Sequence, residues 1–278
     1  MSISDIVSLT DVPEVVQSFF DHKGAVNYDG HHMSLLTVQV TELLDGVFIG
    51  CSMNHCIGDG TSYWHFWNPW SNIHMAIRCM EKAIVPSHMP MHKRWFPEGH
   101  DSPILLPFTQ LDDFISRHEQ PQLRVRIFQF SYESIARLKA KVNEENGHNT
   151  SKISSFQALS ALYWQSIIRA LCLPHDQVTN CRLSTNNRHR FDPPLPQEYF
   201  GNCISALKAT TTVGELLENK LGWAVSLLHQ LVTNYGKKDV TDLINRWLQS
   251  PAIFNLNRLI DSYSVMMGNS LRSDIYGN

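Results

Sequence analysis

Residues 46–71 read GVFIGCSMNHCIGDGTSYWHFWNPWS, and this stretch decides the fold. It begins with the apolar, β-rich run Gly46–Ser52, passes through a glycine-containing turn and ends in an aromatic run with helical spacing. A second β-rich run, Leu35–Val40, precedes it, with the turn-forming dipeptide Asp45-Gly46 in between. The stretch therefore predicts two paired strands followed by a helix.

The helix after this turn contains a proline. Thr61 or Ser62 stands where an N-terminal capping residue is expected. Pro69 falls inside the apolar periodicity, and an interior proline costs about 3 kcal/mol or kinks the helix. We therefore expect a helix that is bent at Pro69 or that starts later than the periodicity alone indicates.

The rest of the chain divides into a proline-rich connection and a second region with regular periodicity. Residues 83–121 contain six of the thirteen prolines and show little periodicity. So long an irregular stretch favours an extended connection over part of a compact domain. We therefore expect an N-terminal lobe at 1–82, a crossover linker at 83–122 and a C-terminal lobe at 123–278.

Strands and helices are mixed in the region after residue 122. The pattern predicts strands at 123–131 (the alternating LRVRIFQFS), 181–186 and 263–267, helices capped by Ser131 and Ser154, one long helix from Thr212 to about Leu231, and a helix at 240–249. On the helix after Ser154 we expect one apolar face: Phe156, Leu159, Leu162, Tyr163, Ile167 and Leu171. This mixture indicates an α/β or α+β protein.

The composition argues against several classes of function. The 278 residues carry a net charge of −3, so we expect neither a nucleic-acid nor a membrane partner. The six cysteines form no CxxC pair and the histidines lack convincing zinc spacing, so we expect no metal site. No GxSxG, P-loop or GxGxxG signature is present. The first residues, MSISDIVSLTDVPEVV, lack the pattern of a secretory signal, so we expect a cytoplasmic protein.

His55 is the strongest candidate for a catalytic residue. It directly follows a predicted strand, in the glycine-containing turn, with Asp59 four positions later. A histidine has an unperturbed pKa of about 6.5 and can therefore take a proton near neutral pH. From spacing alone, Asp59 either orients the imidazole, as in a catalytic triad, or stiffens the turn through an arginine. An HxxxD pattern also occurs by chance in many proteins.

A basic cluster further along the chain is a candidate for binding phosphate groups. It consists of Arg188, His189 and Arg190, with Lys152 not far away in sequence. The alternative is a solvated loop, which the residues alone favour.

Four stretches, in order, resemble the plant BAHD acyltransferase family. They are NHCIGDGTSYWHFWNPWS (54–71), ISSFQALSALYWQSIIRA (153–170), NNRHRFDPPLPQEYFGNCI (186–204) and DSYSVMMGNSLRSDIYGN (261–278). The first resembles the family's HxxxDG segment, and the third resembles its N-x-R-x-R and YFGN segments. The last resembles the stretch that runs into the family's DFGWG motif.

The resemblance implies a two-lobed, chloramphenicol-acetyltransferase-like α/β fold and an acyl-CoA-dependent O- or N-acyltransferase. His55 would lie in a channel at the lobe interface and act as general base, deprotonating a hydroxyl or amine acceptor as it attacks the CoA thioester. The implied partners are acyl-CoA, as a co-substrate, and a small-molecule acceptor. We expect no tightly bound cofactor and a monomeric protein.

The resemblance also implies roles for other residues. Asp59 would point away from the substrate and form a structural ion pair, for which Arg188 is the expected partner. Two further sets of residues are expected to contact the substrates. The set expected to contact coenzyme A is Lys152, Ser154, Ser155 and Arg190. The set expected to contact the acyl group is Ser270 and Arg272.

The chain departs from the family's pattern at both ends. His55 comes earlier than in family members, and the chain reaches residue 278 where the DFGWG motif should begin. Gln165 also stands where the family often has an arginine. These departures predict a member truncated at both ends, with an incomplete first lobe and a C-terminal lobe without the DFGWG segment. Two alternatives stay open: a non-catalytic remnant or interaction protein, and the same fold used for lyase chemistry.

Overall fold

The computed structural model describes residues 1–79, 89–99, 104–110, 115, 123–147, 153–253 and 261–269. Within them the helices are α1 (Ile3–Val7), α2 (Glu14–Gln17), α3 (Gly60–Arg78), α4 (Tyr132–Glu145), α5 (Ser155–Leu171), α6 (Val213–Glu218), α7 (Leu221–Asn234) and α8 (Lys237–Gln249), with 3-10 helices at Asn27–His31 and Arg188–Arg190. The strands are β1 (Leu36–Glu42), β2 (Val47–Met53), β3 (Val178–Asn186), β4 (Ile204–Thr212) and β5 (Ser264–Met267). The predicted mixture of α and β structure is confirmed. None of these helices is both long enough and apolar enough to span a membrane.

β1 and β2 form an antiparallel hairpin, as the sequence predicts. The register pairs Val40 with Ile49, and alternate residues face opposite sides of the pair. The side that carries Phe48 and Gly50 packs against Phe19, whose ring centroid lies 5.2 Å from that of Phe48. A Cβ at position 50 would overlap the Phe19 carbonyl oxygen, so this close approach requires glycine.

α3 is capped by Asp59, whose carboxylate accepts a hydrogen bond from the Ser62 N–H at 3.1 Å. The expectation of a cap at Thr61 or Ser62 is wrong, because Asp59 is an equally good capping residue and precedes both. The helix continues through Pro69, which excludes the later start and leaves the other alternative, a bend at Pro69. The loss of one proline N–H does not end a helix of 19 residues.

β3 is the central strand of a three-stranded sheet with the order β4-β3-β5. β4 pairs with it in the antiparallel direction and β5 in the parallel direction, which confirms the strands predicted at 181–186 and 263–267. α5 and α7 pack against each other and against this sheet. Between them lies a core in which Trp164 is fully buried and donates from Nε1 to the Thr179 hydroxyl at 2.9 Å. The second region of the chain therefore has a well-packed core.

The buried face of α5 differs from the predicted one. Its apolar side chains without solvent exposure are Ala158, Ala161, Trp164 and Ile168. Of the predicted face, Ile167 is 39% exposed and Leu171 45% exposed. The prediction is therefore right for Phe156 and Leu162, which are partly buried against the core, and wrong for Ile167 and Leu171. It left out the small alanines, which let the helix approach its neighbours closely.

The single long helix predicted from Thr212 is two helices. Its start is as predicted, since Thr212 and Glu215 form a capping box. α6 then ends because Asn219 and Lys220 have extended backbone, with ψ of 154° and 158°. Asn219 Nδ2 donates to the Glu215 carbonyl oxygen at 2.8 Å, and a side chain bonded in this way competes with the helical ladder.

The alternating strand predicted at 123–131 is not found. Within the described residues this segment forms one isolated antiparallel bridge, between Asp11 and Arg126. Backbone hydrogen bonds of 2.8 and 2.9 Å join residues 10–12 to 125–127. The period-two pattern is compatible with a strand, but a strand also needs a partner along its length. Here only residues 10–12 run beside the segment.

Most of the predicted crossover linker, with its boundaries at 82/83 and 122/123, lies outside the described residues. Part of the described portion runs beside the loop that precedes β4. Met91 forms a parallel bridge with Tyr199, and Arg94 Nη1 donates to the Phe200 carbonyl oxygen at 2.9 Å. Residues 91–94 therefore line one side of this loop, which also contacts the turn before α3.

Candidate active site

His55 lies in the turn between β2 and α3, and it is exposed. Asn54 closes this turn: its Oδ1 accepts from the Cys56 N–H at 3.0 Å, and its carbonyl oxygen accepts from the Ile57 N–H at 3.2 Å. Asn54 Nδ2 in turn donates to the Asn27 carbonyl oxygen at 3.0 Å. The Asn54 side chain thus replaces a backbone turn contact. The result presents His55 to solvent directly after the strand.

Asp59 lies four residues further on, and its side chain has no solvent exposure. Arg188 binds it in a bidentate manner, from Nη1 to Oδ2 at 2.8 Å and from Nη2 to Oδ1 at 3.0 Å. Oδ1 also accepts from the Ser62 N–H at 3.1 Å and the Ser62 hydroxyl at 3.3 Å. Oδ2 also accepts from the Cys203 N–H at 2.9 Å. Both carboxylate oxygens are therefore fully engaged.

Arg188 begins the 3-10 helix after β3 and is only 4% exposed. Besides Asp59, its Nη2 contacts the carbonyl oxygens of Tyr199 at 3.0 Å and Gly201 at 2.9 Å. Its Nη1 donates to Asn186 Oδ1 at 3.3 Å. One guanidinium thus joins the start of α3, the end of β3 and the loop before β4.

The charges of this cluster are set by burial and by pairing. Burial alone would raise the pKa of the Asp59 carboxyl, but the hydrogen bond and charge of Arg188, with the N–H groups of Cys203 and Ser62, hold that pKa below its usual value. Burial raises the pKa of the Cys203 thiol to about 11. The Asp59 carboxylate is therefore ionised at neutral pH, beside a neutral Cys203 thiol.

The two roles left open for Asp59 require different contacts. An aspartate that orients a catalytic histidine accepts a hydrogen bond from the imidazole. Among the residues described by the structure, no hydrogen bond joins Asp59 to the His55 ring, and the donors to Asp59 are Arg188, Ser62 and Cys203. The contacts favour the ion-pair role, with Arg188 in the position that the resemblance implies.

Two of the residues expected to meet coenzyme A lie at the N-terminus of α5. Ser154 caps the helix: its hydroxyl accepts from the Gln157 N–H at 3.2 Å, and Gln157 Oε1 accepts from the Ser154 N–H at 3.0 Å. The predicted cap at Ser154 is therefore confirmed, and with Gln157 it forms a capping box. Ser155 is the first residue of α5 and is half-buried. The hydroxyl of Ser154 is thus engaged within its own helix.

Arg190 lies away from those serines along the chain and binds backbone. Its Nη1 donates to the Asn186 carbonyl oxygen at 2.7 Å, and its Nε donates to the Tyr235 carbonyl oxygen at 3.1 Å. These contacts tie Arg190 to the end of β3 and to the residue after α7. In the described ranges, no group of three or more His, Cys, Asp or Glu side chains is placed to hold a metal ion. The remaining expected residues lie outside the described part: Lys152, Ser270 and Arg272.

Three further residues belong to this site and were not among the predicted site residues: Ser62, Gly201 and Asn202. The Ser62 hydroxyl accepts from the Gly201 N–H at 3.0 Å, and Asn202 Nδ2 donates to the His55 carbonyl oxygen at 2.7 Å. The available signal was the YFGN run, residues 199–202. Much of its contact with the cluster is made by backbone atoms, which residue types alone do not reveal.

Comparison with known proteins identifies the family. The sequence model of the Transferase family matches residues 1–278. An uncharacterised acetyltransferase of Arabidopsis thaliana is 35% identical over 287 residues, which cover 100% of this chain and 64% of the relative. The BAHD acyltransferase DCR of Arabidopsis thaliana is 30% identical over 266 residues, which cover 92% of this chain and 53% of the relative. The chain thus spans less than two thirds of the length of these relatives.

A solved structure supports the fold. TRI101 of F. graminearum, complexed with ethyl coenzyme A, matches with a TM-score of 0.61 at 16% identity, over 86% of this chain and 55% of that chain. At this identity the likeness establishes the fold alone, and it confirms the chloramphenicol-acetyltransferase-like α/β fold. By its match over the whole length, the chain belongs to the Transferase family, which is that of the plant BAHD acyltransferases.

Proposed function

We propose that this chain belongs to an enzyme that moves an acyl group from a CoA thioester to a hydroxyl or amine acceptor, with His55 as general base. The observation that carries the proposal is the setting of His55. His55 is an exposed residue two positions after β2, and the turn that carries it leads into Asp59, which a buried bidentate ion pair holds. A general base needs a ring that reaches the substrate and a backbone that stays in place.

In this reaction His55 takes the proton of the acceptor as the acceptor's oxygen or nitrogen attacks the thioester carbonyl carbon. The new C–O or C–N bond gives a tetrahedral intermediate, whose oxyanion needs hydrogen-bond donors. The C–S bond then breaks, and the imidazolium returns its proton to the CoA thiolate. The products are an ester or amide and free CoA, with His55 neutral again.

Asp59 and Arg188 have an architectural role in this proposal. Among the described residues, the donors to Asp59 are Arg188, Ser62 and Cys203 and not the imidazole. Their pairing holds the first turn of α3 against the loop before β4, and so fixes both sides of the catalytic turn. Substitution of either residue is therefore expected to affect folding more than chemistry.

The remaining expected residues complete the proposal. A helix N-terminus favours anionic groups, which supports a place for CoA phosphates near the start of α5. The assigned residues are Lys152, Ser154, Ser155 and Arg190 for coenzyme A and Ser270 and Arg272 for the acyl group. The protein acts as a monomer without a tightly bound cofactor, in the cytoplasm, where free thiols such as its six cysteines persist.

A substrate screen tests this function. The full chain is mixed with acetyl-CoA or p-coumaroyl-CoA and a panel of alcohols, phenols and amines, and products are read by mass spectrometry. We expect acyl transfer by the wild type and a loss of at least about 100-fold in His55→Ala, because general acid–base catalysis contributes about that much or more. His175→Ala is the matched control, since the His175 side chain is 75% exposed. It should keep its rate.

The possible outcomes separate the alternatives. Transfer that survives His55→Ala would refute the general-base role. A folded chain that transfers no acyl group would refute the activity and support a non-catalytic protein of this fold. A product that forms without CoA would support lyase chemistry.

A further inference from the structure

We propose that Asn202 is a positioning residue for His55: its side-chain amide holds the backbone of the turn and thereby sets the direction of the imidazole. This inference rests on the proposed function, because it gives Asn202 a part in the reaction through the general base. It does not depend on the identity of the acyl donor or the acceptor.

The contact between Asn202 and the turn is direct. Asn202 Nδ2 donates to the His55 carbonyl oxygen at 2.7 Å and lies 3.5 Å from the Cys56 carbonyl oxygen. Both carbonyl oxygens can only accept, so the amide must present its NH2 group to them. The other hydrogen bonds that close this turn begin or end at Asn54. In the described part of the chain, Asn202 is the donor that reaches the backbone of His55 itself.

Asn202 can act as a tether because its neighbours are fixed. The Gly201 carbonyl oxygen accepts from Arg188 Nη2 at 2.9 Å, and the Cys203 N–H donates to Asp59 Oδ2 at 2.9 Å. Gly201 and Cys203 are buried, whereas Asn202 between them is exposed. The ion pair thus clamps the chain on both sides of Asn202 and leaves its side chain to reach the turn.

The ion pair of Asp59 and Arg188 does not touch the imidazole, but this arrangement lets it restrain the direction of the imidazole. The path runs from Asp59 and Arg188 to the backbone around Asn202, and from the Asn202 amide to His55. Loss of the amide costs little stability, because water can bond to an exposed carbonyl oxygen. It removes a restraint on the base, and a displacement of about 1 Å can lower a rate about 100-fold.

The test compares Asn202→Ala with Asn219→Ala in the full chain. Asn219 is a matched control: it is also exposed, its Nδ2 also donates to a backbone carbonyl oxygen at 2.8 Å, and it lies between α6 and α7. Two quantities are measured. One is kcat and KM as a function of pH, with acetyl-CoA or p-coumaroyl-CoA and the acceptor that the wild type uses. The other is hydrogen exchange of the backbone amides in residues 54–58, which needs no substrate.

For Asn202→Ala we expect kcat to fall about 10- to 100-fold at every pH, because the base is misplaced. KM for the acyl-CoA and the pH at which the rate is half-maximal should stay unchanged, since the Asn202 amide bonds the backbone of the turn and not the imidazole. Exchange at the amides of Cys56 and Ile57 should become several-fold faster. Asn219→Ala should match the wild type in all of these measurements.

His55→Ala, measured in parallel, separates this inference from the proposed function. If His55→Ala is inactive and Asn202→Ala keeps the wild-type kcat, the positioning role is overturned. If exchange in residues 54–58 is unchanged in Asn202→Ala, the tether is overturned whatever the activity. If His55→Ala keeps its turnover, it is the general-base proposal that fails, and Asn202 loses its part in the reaction with it.

Discussion

Replacing Asp59 with asparagine removes one negative charge from the centre of the site and keeps the shape of the side chain. An amide has an acceptor on one side only. If its oxygen stays with Ser62, its NH2 group faces Arg188 Nη1 and the Cys203 N–H, which both donate. Arg188, only 4% exposed, also loses its counter-ion. Breaking a buried pair in this way costs about 3–5 kcal/mol.

A loss of this size is a large share of the stability of a typical domain, about 5–15 kcal/mol. The melting temperature should fall by about 6–20 °C, since chains of similar size lose about 2–4 °C for each kcal/mol. In urea the midpoint should fall with an unchanged m-value. Asp239→Asn is the control: this exposed carboxylate accepts from the Gly236 N–H at 2.8 Å at the start of α8. Its loss should cost less than about 1 kcal/mol.

The same preparations are assayed for acyl transfer, because the alternative role of Asp59 makes the opposite prediction. Asp59→Asn that melts together with the wild type but has lost its turnover would refute the architectural role. It would instead assign Asp59 to the orientation of the imidazole.

Three further predictions follow from the same region. Because the pKa of Asp59 is lowered on folding, its contribution to stability is complete above about pH 4 and is lost as the pH falls through the folded-state pKa. In urea titrations, the free energy of unfolding of the wild type should therefore approach that of Asp59→Asn in acid. A difference between the two that stays constant with pH would contradict this. A Cβ at Gly58 would lie 2.6 Å from the Ser62 Cβ, whereas one at Gly60 meets nothing within 4 Å. Gly58→Ala should therefore lower the free energy of unfolding by about 1–3 kcal/mol. Equal urea midpoints for Gly58→Ala and Gly60→Ala would refute the overlap. Thiol labelling at about pH 8 should spare Cys203, because burial raises its pKa to about 11, and its labelling at the rate of the exposed thiols would argue against this burial. The exposed thiols are Cys56, Cys79 and Cys172.

The sequence predicts those parts of the fold that depend on contacts between near neighbours. The caps at Ser131, Ser154 and Thr212 are present, because a capping hydrogen bond joins residues three positions apart. The buried face of α5 was predicted only in part, because it is selected by α7 and the sheet, which are distant in sequence. The break at Asn219 was missed, because the apolar spacing from Thr212 to about Leu231 is uninterrupted and does not reveal the competing side-chain bond.

For the site, the sequence reveals residue types and not the backbone that surrounds them. His55 and Asp59 stand out as a motif, and the resemblance supplied Arg188 as the partner of Asp59. The contact between Asn202 and the turn could not be predicted in this way, since its partner is a carbonyl oxygen 147 positions away. Any residue type at position 55 would offer the same carbonyl.

The ion pair also has a consequence for the order of folding. Asp59 and Arg188 are 129 positions apart, whereas β3 and β4 are joined by residues 187–203 alone. The entropy of loop closure grows with the separation, so β3 and β4 can pair early and the ion pair forms late. Substitutions in the pair should then accelerate unfolding and leave the folding rate almost unchanged. The turn that carries His55 is in this sense assembled after β3 and β4 have paired, and its lifetime is set by the unfolding rate.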